Sequence, residues 1–472
     1  MLRVIIDKEM REMIGSTKFA LTFAVCAILI VLSFYIGAAN YKVSVDHYQA
    51  AKAENLQQLE GVTDWLMVRQ NRIFLPPQPL AALVTGVSND IGRTTEVEAR
   101  GELASHDSRF NEEPIFAVFR FLDLSFIFTV VLSLFAILLG YDAISGEKER
   151  GTLKLALANA VPRSTLIMGK LLGSFAALSV SLLVALGIGC LLLPLMGVPM
   201  AAADWWRLGL IILTGMLYFG VFLTISMFIS TTTQRTSSSF LLLLVVWIVG
   251  VLIIPRASVL LAGRAVDVPS VDEVGAKKAS YASQLWKDFR HGMASFKGPE
   301  TQDVEQMMNV FNKYMDSLTA IRDEKMNLYT AQLNEERYNR QKVQQAVAFN
   351  LARLSPVASL TLATEELSGT SLGLKNRYYD QAMAYQKIYA AFLKEKTGMN
   401  VGGRMMVFKV KMDGEEEEEE PIDPNELPAF VYEPPSVPDS LQAATGDMGL
   451  LGLLNILFFA ASFVAFRRYD AR

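Results

Sequence analysis

The sequence predicts a mostly α-helical membrane protein with six membrane-spanning helices. Three observations carry this prediction: 51% of the 472 residues are hydrophobic, only 19% are charged, and the apolar residues fall into long uncharged stretches. A spanning helix needs about 20 mostly apolar residues to cross about 30 Å of hydrocarbon. Six segments meet this requirement: residues 17–39, 121–141, 171–196, 207–230, 239–261 and 448–466.

The same composition argues against several other classes of protein. A net charge of −4 over 472 residues gives no reason to expect a nucleic-acid partner. Cys26 and Cys190 both lie inside apolar stretches, so neither a disulfide framework nor a cysteine-based zinc site is expected. His47, His106 and His291 are scattered along the chain, and their spacing predicts no metal site.

Residues 1–16 are predicted to form an amphipathic helix before the first span. Apolar side chains such as Leu2, Ile6 and Met13 fall on one helical face, and charged side chains fall on the other. We expect this helix to lie flat along the cytoplasmic membrane surface; a helix packed against the protein is the alternative. The apolar stretch at 17–39 is too long for a signal-peptide core, so it is predicted to remain as the first span.

The placement of Lys and Arg predicts the orientation of the chain. Basic residues are frequent in residues 1–16, in the segment 142–170 after the second span, and in the tail 467–472. Residues 197–206 contain none and end in a Trp pair, which is typical of a membrane–water interface. Both termini are therefore predicted to face the cytoplasm.

This topology places two long hydrophilic segments, residues 40–120 and 262–447, outside the membrane. The first is predicted to continue the helix of the first span over 47–69 and then to break at a Pro pair within 74–86. In the second, the spacing of apolar residues over 302–354 is close to 3.5. That spacing favours a helical hairpin or coiled-coil stalk, or an ordinary amphipathic helix packed on its own domain.

The rest of the second segment is less regular. A further helix is predicted over 378–396 and a strand over 404–412. Residues 413–440 combine six consecutive glutamates at 415–420 with a Pro-rich run, so a solvated loop is expected, with cation binding or partner docking as the alternative.

The sequence lacks the motifs of an energy-using enzyme. No GxxxxGK[ST] phosphate-binding loop occurs, and the partial matches at 168–173 and 367–371 do not complete a nucleotide site. No hydrolase arrangement is recognisable either. The spans are nearly free of charge, which argues against proton-coupled transport. Near the outer end of span two, Arg120 and Asp123 are spaced to form an ion pair at the membrane interface.

One cytoplasmic segment is distinctive, because Glu147–Arg150 places four charges of both signs between two apolar regions. The preference for basic residues in cytoplasmic loops explains Lys and Arg but not the interleaved glutamates. A short helix is predicted to begin near Gly146, with Leu153 and Leu157 on one face at i, i+4. Such a helix offers a docking surface with ion pairs and an apolar ridge.

The segment DAISGEKERGTLKLALANAVPRSTLIMGKLLG, at 142–173, resembles the signature of ABC transporter permeases of the ABC-2 exporter type. The resemblance is greatest to the branch of permeases for copper-site maturation and gliding motility, and it extends to 355–372 and 466–472. In that family the charged segment is a coupling helix that meets a separate ATP-binding subunit. By resemblance, the coupling residues are Glu147, Lys148, Glu149, Arg150, Gly151 and Thr152, with Leu153 and Leu157 as the apolar ridge.

The resemblance also implies the partners. It implies a homodimer of this chain in membrane lipid, two copies of an ABC ATP-binding subunit that carry ATP and Mg, and no cofactor on this chain. The 1–16 helix would be a second cytoplasmic contact. Substrate export is the first hypothesis. Force relay to a periplasmic partner through the outer helices, and a membrane scaffold or sensor that needs no ATPase, are the alternatives.

Overall fold

A computed structural model of the protein confirms the mostly helical membrane class, with six helices among the described residues that are long and apolar enough to cross a membrane. These candidate spans are Thr17–Gln57, Leu124–Arg150, Arg163–Leu195, Ala202–Thr232, Thr236–Ala265 and Val437–Arg467. The structure describes residues 1–68, 70–88, 91–99, 103–106, 123–158, 162–296, 298, 304–397 and 421–468.

The chain forms two bodies, Met1–Ile253 with Arg353–Arg472, and Ile254–Ala352. The second body holds α9 (Ile254–Ala265), α10 (Val271–Ala294) and α11 (Val304–Ala352). The first body holds α1 (Leu2–Ile14), α2 (Thr17–Gln57), α3 (Leu124–Phe126, π-helical Ile127–Leu132, then Ser133–Gly140), α4 (Ser145–Arg150), α5 (Thr152–Ala158), α6 (Arg163–Leu195), α7 (Ala202–Thr232), α8 (Thr236–Trp247, then π-helical Ile248–Ile253), α12 (Pro356–Ser368), α13 (Leu372–Thr397) and α14 (Val437–Arg467).

Helix α7 lies at the centre of the first body, where it packs against α3, α12 and α14. The buried Tyr218 hydroxyl donates to the carbonyl of Thr129 at 2.8 Å, within the π-helical part of α3. The Trp247 indole N–H donates to Ser133 Oγ at 2.8 Å. Because the hydrocarbon offers no partners, such internal hydrogen bonds satisfy the polar groups between spans.

Glycines allow close approaches between elements of this bundle, and two of them show the effect. A Cβ placed on Gly189 of α6 would lie 2.6 Å from the ring of Phe34. At Gly37 of α2, a Cβ would lie 1.9 Å from the carbonyl oxygen of Ala82, which ends the short 3-10 turn Pro79–Ala82. Small residues at these crossings let backbones pack directly on each other, as is usual for membrane helices.

The segment after α2 contains a sheet that the sequence analysis missed. Its strands are β1 (Gln70–Phe74), β2 (Thr94–Glu98) and β3 (Ala104–His106), antiparallel in the order β1-β2-β3. Helix α13 packs against this sheet, and the Asn71 amide donates to the Tyr385 hydroxyl at 2.7 Å. Helix α2 has 41 residues and at about 1.5 Å per residue extends well beyond the hydrocarbon, but it ends at Gln57, so the predicted extension over 47–69 is too long.

The Pro-rich segment also differs from its prediction as a solvated loop. Residues 421–436 have no long helix or strand, yet Tyr432 is buried and Phe430 packs beside it against the core of the sheet and α13. The Ile422 N–H donates to the Val62 carbonyl at 2.8 Å. Aromatic and aliphatic side chains among the prolines provide the apolar surface that keeps this part folded. The predicted strand 404–412 and the glutamates 415–420 lie outside the described residues.

The second body contains one continuous helix where a hairpin within 302–354 was one of the predictions, and the partner of that helix precedes it in the chain. Its long helix α11 runs without interruption for 49 residues, and α10 packs antiparallel against it. The ring centroids of Tyr281 and Tyr329 are 4.1 Å apart, and the Arg322 guanidinium lies 4.5 Å from the Trp286 ring. Aromatic and cation–π contacts thus carry much of the packing along the hairpin.

The acidic side chain of Glu365 in α12 should make stability depend on pH. Burial, and then the negative charges of Glu366 and Asp123, raise the pKa of Glu365 from 4.5 to about 7. Its protonated form therefore contributes stability that is fully present below pH 4.5 and is lost as the pH rises through 7. We expect Glu365→Gln to raise the free energy of unfolding by about 2 kcal/mol at pH 8 and to change it little at pH 4.

Thermal unfolding in detergent at the two pH values tests this expectation. Glu395→Gln on α13 is the control, because Glu395 is exposed. An equal gain from Glu365→Gln at pH 4 and pH 8 would show that folding does not raise the pKa of Glu365.

Candidate coupling site

The charged segment after the second span folds into two short helices. Helix α4 ends at Arg150 because Gly151 adopts a left-handed conformation with φ of 76° and donates its N–H to the Lys148 carbonyl. Helix α5 then begins at Thr152. The predicted single helix from Gly146 is therefore wrong, and Leu153 and Leu157 belong to a different helix from Glu147.

Hydrogen bonds attach α4 to the end of α7. Ser230 Oγ accepts the N–H groups of Ile144 and Ser145 at 3.0 and 2.9 Å. The Lys148 ammonium donates to the carbonyl of Thr231 and, at 2.9 Å, to that of Thr233. Carbonyls at a helix C-terminus lack helical partners and carry partial negative charge, so a lysine there is stabilising. Lys148 therefore caps α7.

The next residue, Glu149, attaches α4 to the start of α8. Its carboxylate accepts the backbone N–H of Thr236 at 3.1 Å and the Thr236 hydroxyl at 2.8 Å. The positive end of the α8 dipole further favours a carboxylate at this position. Glu149 thus supplies the cap of α8 from another helix.

Glu147 points the other way, toward α6 and α1. The Lys170 ammonium lies 2.8 Å from a carboxylate oxygen of Glu147 and 2.6 Å from one of Glu9, and its side chain is only 5% exposed. We call Glu9, Glu147 and Lys170 the lysine triad. Since α1, α4 and α6 each contribute one member, the lysine triad joins three separate elements through buried charges.

Close packing of α1 on α6 makes the lysine triad possible. A Cβ on Gly169 would lie 2.6 Å from Ile5 Cγ2, and a Cβ on Gly173 would lie 2.8 Å from the Cβ of Glu9. Of the two interpretations of residues 1–16, the structure shows packing on the protein. Its exposed apolar side chains, such as Val4, leave one face available to lipid as well.

The two helices also present a surface away from the protein. Leu153 is fully buried in a small core with Ile167 and Phe466, and Leu157 packs at its edge. Leu155 on the opposite side of α5 is 67% exposed. We call Arg150, Gly151, Thr152, Lys154 and Leu155, which are all exposed, the outward face.

The predicted coupling residues therefore divide into two groups. Glu147, Lys148 and Leu153 point into the protein, whereas Arg150, Gly151 and Thr152 belong to the outward face. Glu149 is exposed but bonded to α8. The sequence analysis missed Leu155 and Lys170. The helical period could have identified Leu155, since it lies about 200° around α5 from the buried Leu153.

The structure describes only one of the two residues of the predicted ion pair near span two. Asp123 caps α3 by accepting the Phe126 N–H at 2.8 Å, and burial raises the pKa of its carboxyl. Arg120 lies outside the described residues, so the pair with Arg120 stays a prediction.

Among the described residues, six apolar candidate spans have a folded charged segment between the second and third. The chain belongs to the ABC-2 family of transporter proteins, whose family model matches residues 3–471.

Among curated proteins the chain is similar to the probable ABC transporter permease protein NosY of Stutzerimonas stutzeri, with 33% identity over 127 residues. That match covers 26% of this chain and 46% of the relative. The protein of the same name in Pseudomonas aeruginosa is 33% identical over 130 residues, or 27% of this chain and 47% of the relative. The chain thus spans about half the length of the curated relatives it matches.

Proposed function

We propose that this chain is the permease subunit of an ABC transporter and couples ATP hydrolysis by a separate subunit to export across the bacterial inner membrane. One observation supports this most strongly: successive residues of α4 contact the ends of three spans. Glu147 meets Lys170 of α6, Lys148 caps α7, and Glu149 caps α8. A displacement of α4 therefore acts on all three spans together.

In the proposed complex, two copies of this chain bind two ATP-binding subunits, which carry ATP and Mg. The ATPase pair contacts the outward face on the cytoplasmic side. ATP binding closes the ATPase pair and favours one arrangement of the spans through differential contacts at α4 and α5. The lysine triad extends the same displacement to α1, which supports the predicted role of residues 1–16 as a second contact.

Replacing Lys148 should separate binding from coupling. Lys148→Met removes the cap of α7 but leaves the outward face unchanged, so the ATPase should still co-purify in wild-type ratio. The response of α7 to ATP should fall, with a loss of about 1–3 kcal/mol in coupling free energy. A fluorophore on Trp206→Cys, at the other end of α7, measures this response in the reconstituted complex.

Lys277→Met in α10 is the matched control, because Lys277 forms an exposed i, i+4 ion pair with Glu273. An unchanged ATP response in Lys148→Met would show that α7 is not driven through this contact.

A second function, force relay to a periplasmic partner, is favoured by the length of α11. Its 49 residues span about 70 Å at about 1.5 Å per residue, long enough to carry movement well away from the bilayer. Reconstitution in liposomes distinguishes the two: ATP-dependent movement of a cargo without any outer partner supports export and excludes pure relay. If the permease chain kept its function after loss of the ATPase, the scaffold hypothesis would be favoured instead.

A further inference from the structure

At the end of α7 opposite α4, a buried arginine has an unused hydrogen-bond donor. Arg207 is 6% exposed, and one of its terminal nitrogens donates to the Pro435 carbonyl. Its Nε atom has no hydrogen-bond partner among the described residues. A buried donor without an acceptor is costly, more so on a charged group, so some acceptor is expected there.

A second buried group with an unused donor lies beside Arg207. Tyr432 is 7% exposed, and its hydroxyl has no hydrogen-bond partner of good geometry in the described part of the chain. Burial raises the pKa of this hydroxyl, while a close contact with the Arg377 guanidinium and the positive charges of Arg377 and Arg207 act on it in the opposite direction. The Tyr432 hydroxyl therefore faces two guanidinium groups.

The charges around this position do not balance. Asp204 is the acidic group that acts on Arg207, and one of its carboxylate oxygens already accepts the Ala201 N–H at 3.0 Å. Arg377 adds a second guanidinium charge near Arg207. The cluster has an excess of positive charge and of hydrogen-bond donors, which is the complement of an anion with several oxygens.

The position of the cluster indicates where that anion comes from. Trp205 and Trp206, the residues directly before Arg207, are exposed. Adjacent exposed Trp side chains at the end of a spanning helix are typical of the lipid headgroup layer. The backbone N–H groups at the start of α7 add further positive potential.

We propose that Arg207, Arg377 and Tyr432 bind the phosphate of a phospholipid headgroup. The phosphate oxygens would accept from Arg207 Nε, from the Tyr432 hydroxyl and from the Arg377 guanidinium. A single water molecule could satisfy one of these donors but would leave the excess charge unpaired. The site is independent of the proposed ATPase coupling, because it lies at the other end of α7.

Thermal unfolding of the full chain in detergent, with added lipid, tests the proposal. Phosphatidylglycerol should raise the unfolding temperature, whereas a phosphate-free galactolipid with matched acyl chains should not. Tyr432→Phe keeps the ring in place and removes one hydrogen bond to the phosphate. We expect it to raise the lipid concentration needed for half of the shift by about tenfold. Arg377→Gln should act in the same direction.

Two comparisons make this result specific. Without lipid, Tyr432→Phe should unfold no earlier than the wild type, because the O–H that it removes has no acceptor among the described residues. Tyr389→Phe is the matched control: this buried hydroxyl donates to the Val68 carbonyl, so its loss lowers stability but leaves the lipid effect unchanged.

Three outcomes would overturn the proposal. Equal stabilisation by the galactolipid and by phosphatidylglycerol would mean that acyl chains alone are bound. An unchanged lipid response in both Tyr432→Phe and Arg377→Gln would remove the cluster from the binding site. Stabilisation by inorganic phosphate alone, without an effect of phosphatidylglycerol, would assign the site to a soluble anion.

Discussion

Replacing Lys170 by alanine should lower the free energy of unfolding by about 3–5 kcal/mol, because it leaves two buried carboxylates without their shared cation. The carboxylates of Glu9 and Glu147 are 11% and 13% exposed, so water offers them little compensation. Repulsion between them adds to the loss. Thermal or denaturant unfolding of the purified chain in detergent measures the change.

The Lys8→Ala variant is the control for this experiment. Lys8 also pairs with a glutamate, Glu12, at 3.5 Å, but both side chains are well exposed, so the expected loss is below about 0.5 kcal/mol. A neutral triple variant, Lys170→Met with Glu9→Gln and Glu147→Gln, should recover much of the stability lost in Lys170→Ala. Equal losses in Lys170→Ala and Lys8→Ala would contradict the buried lysine triad.

A leucine at Gly173 should have the second large effect, because it forces α1 away from α6. The new Cβ would lie 2.8 Å from the Cβ of Glu9 and 3.1 Å from the Ile6 carbonyl oxygen. Overpacking alone costs about 1–3 kcal/mol, and loss of the contact between Glu9 and Lys170 adds to it. We expect a total loss of about 3 kcal/mol or more and faster proteolysis within α1.

Gly187→Leu is a matched control in the same helix. No atom lies within 4 Å of a Cβ placed on Gly187, so the same substitution should be tolerated there. If Gly173→Leu were as stable as Gly187→Leu, α1 would not be packed on α6 in solution.

The sequence predicted the spans well because the constraint on them is strong and local. A stretch of about 20 apolar residues has few alternatives to a membrane helix. The sheet formed by β1, β2 and β3 was missed for the opposite reason. Its pairs, such as Asn71 with Val97, join residues far apart in the chain, and β3 has only three residues.

The sequence located the candidate site, but it did not show which residues point into the protein and which belong to the outward face. The charges of Glu147, Lys148 and Glu149 were interpreted as a docking surface, and nothing in their spacing shows that each meets a different partner in the same chain. Those partners, Lys170 and Thr236 among them, come from distant helices. Gly151 divides the segment through its left-handed conformation, and the burial of Leu153 leaves Leu155 on the side of α5 that faces outward.

These contacts give the mixed charges of α4 a structural role in addition to their proposed role in coupling to the ATPase. Charges that cap α7 and α8 and pair with Lys170 hold α4 in a fixed position relative to three spans. A rigid attachment is what transmission of force requires, whereas binding of an ATPase requires exposed residues. We therefore assign transmission to the inward residues of α4 and docking to the outward face.

The most direct test of this account is the affinity of the purified permease for its co-expressed ATP-binding subunit when Leu155 is replaced by aspartate. We predict a loss of about 2 kcal/mol or more, or roughly 30-fold weaker binding, with unchanged thermal stability. Met67→Asp is the control, because Met67 is also 67% exposed and lies next to the sheet. Wild-type affinity in Leu155→Asp, or an equal loss in Met67→Asp, would contradict docking at the outward face.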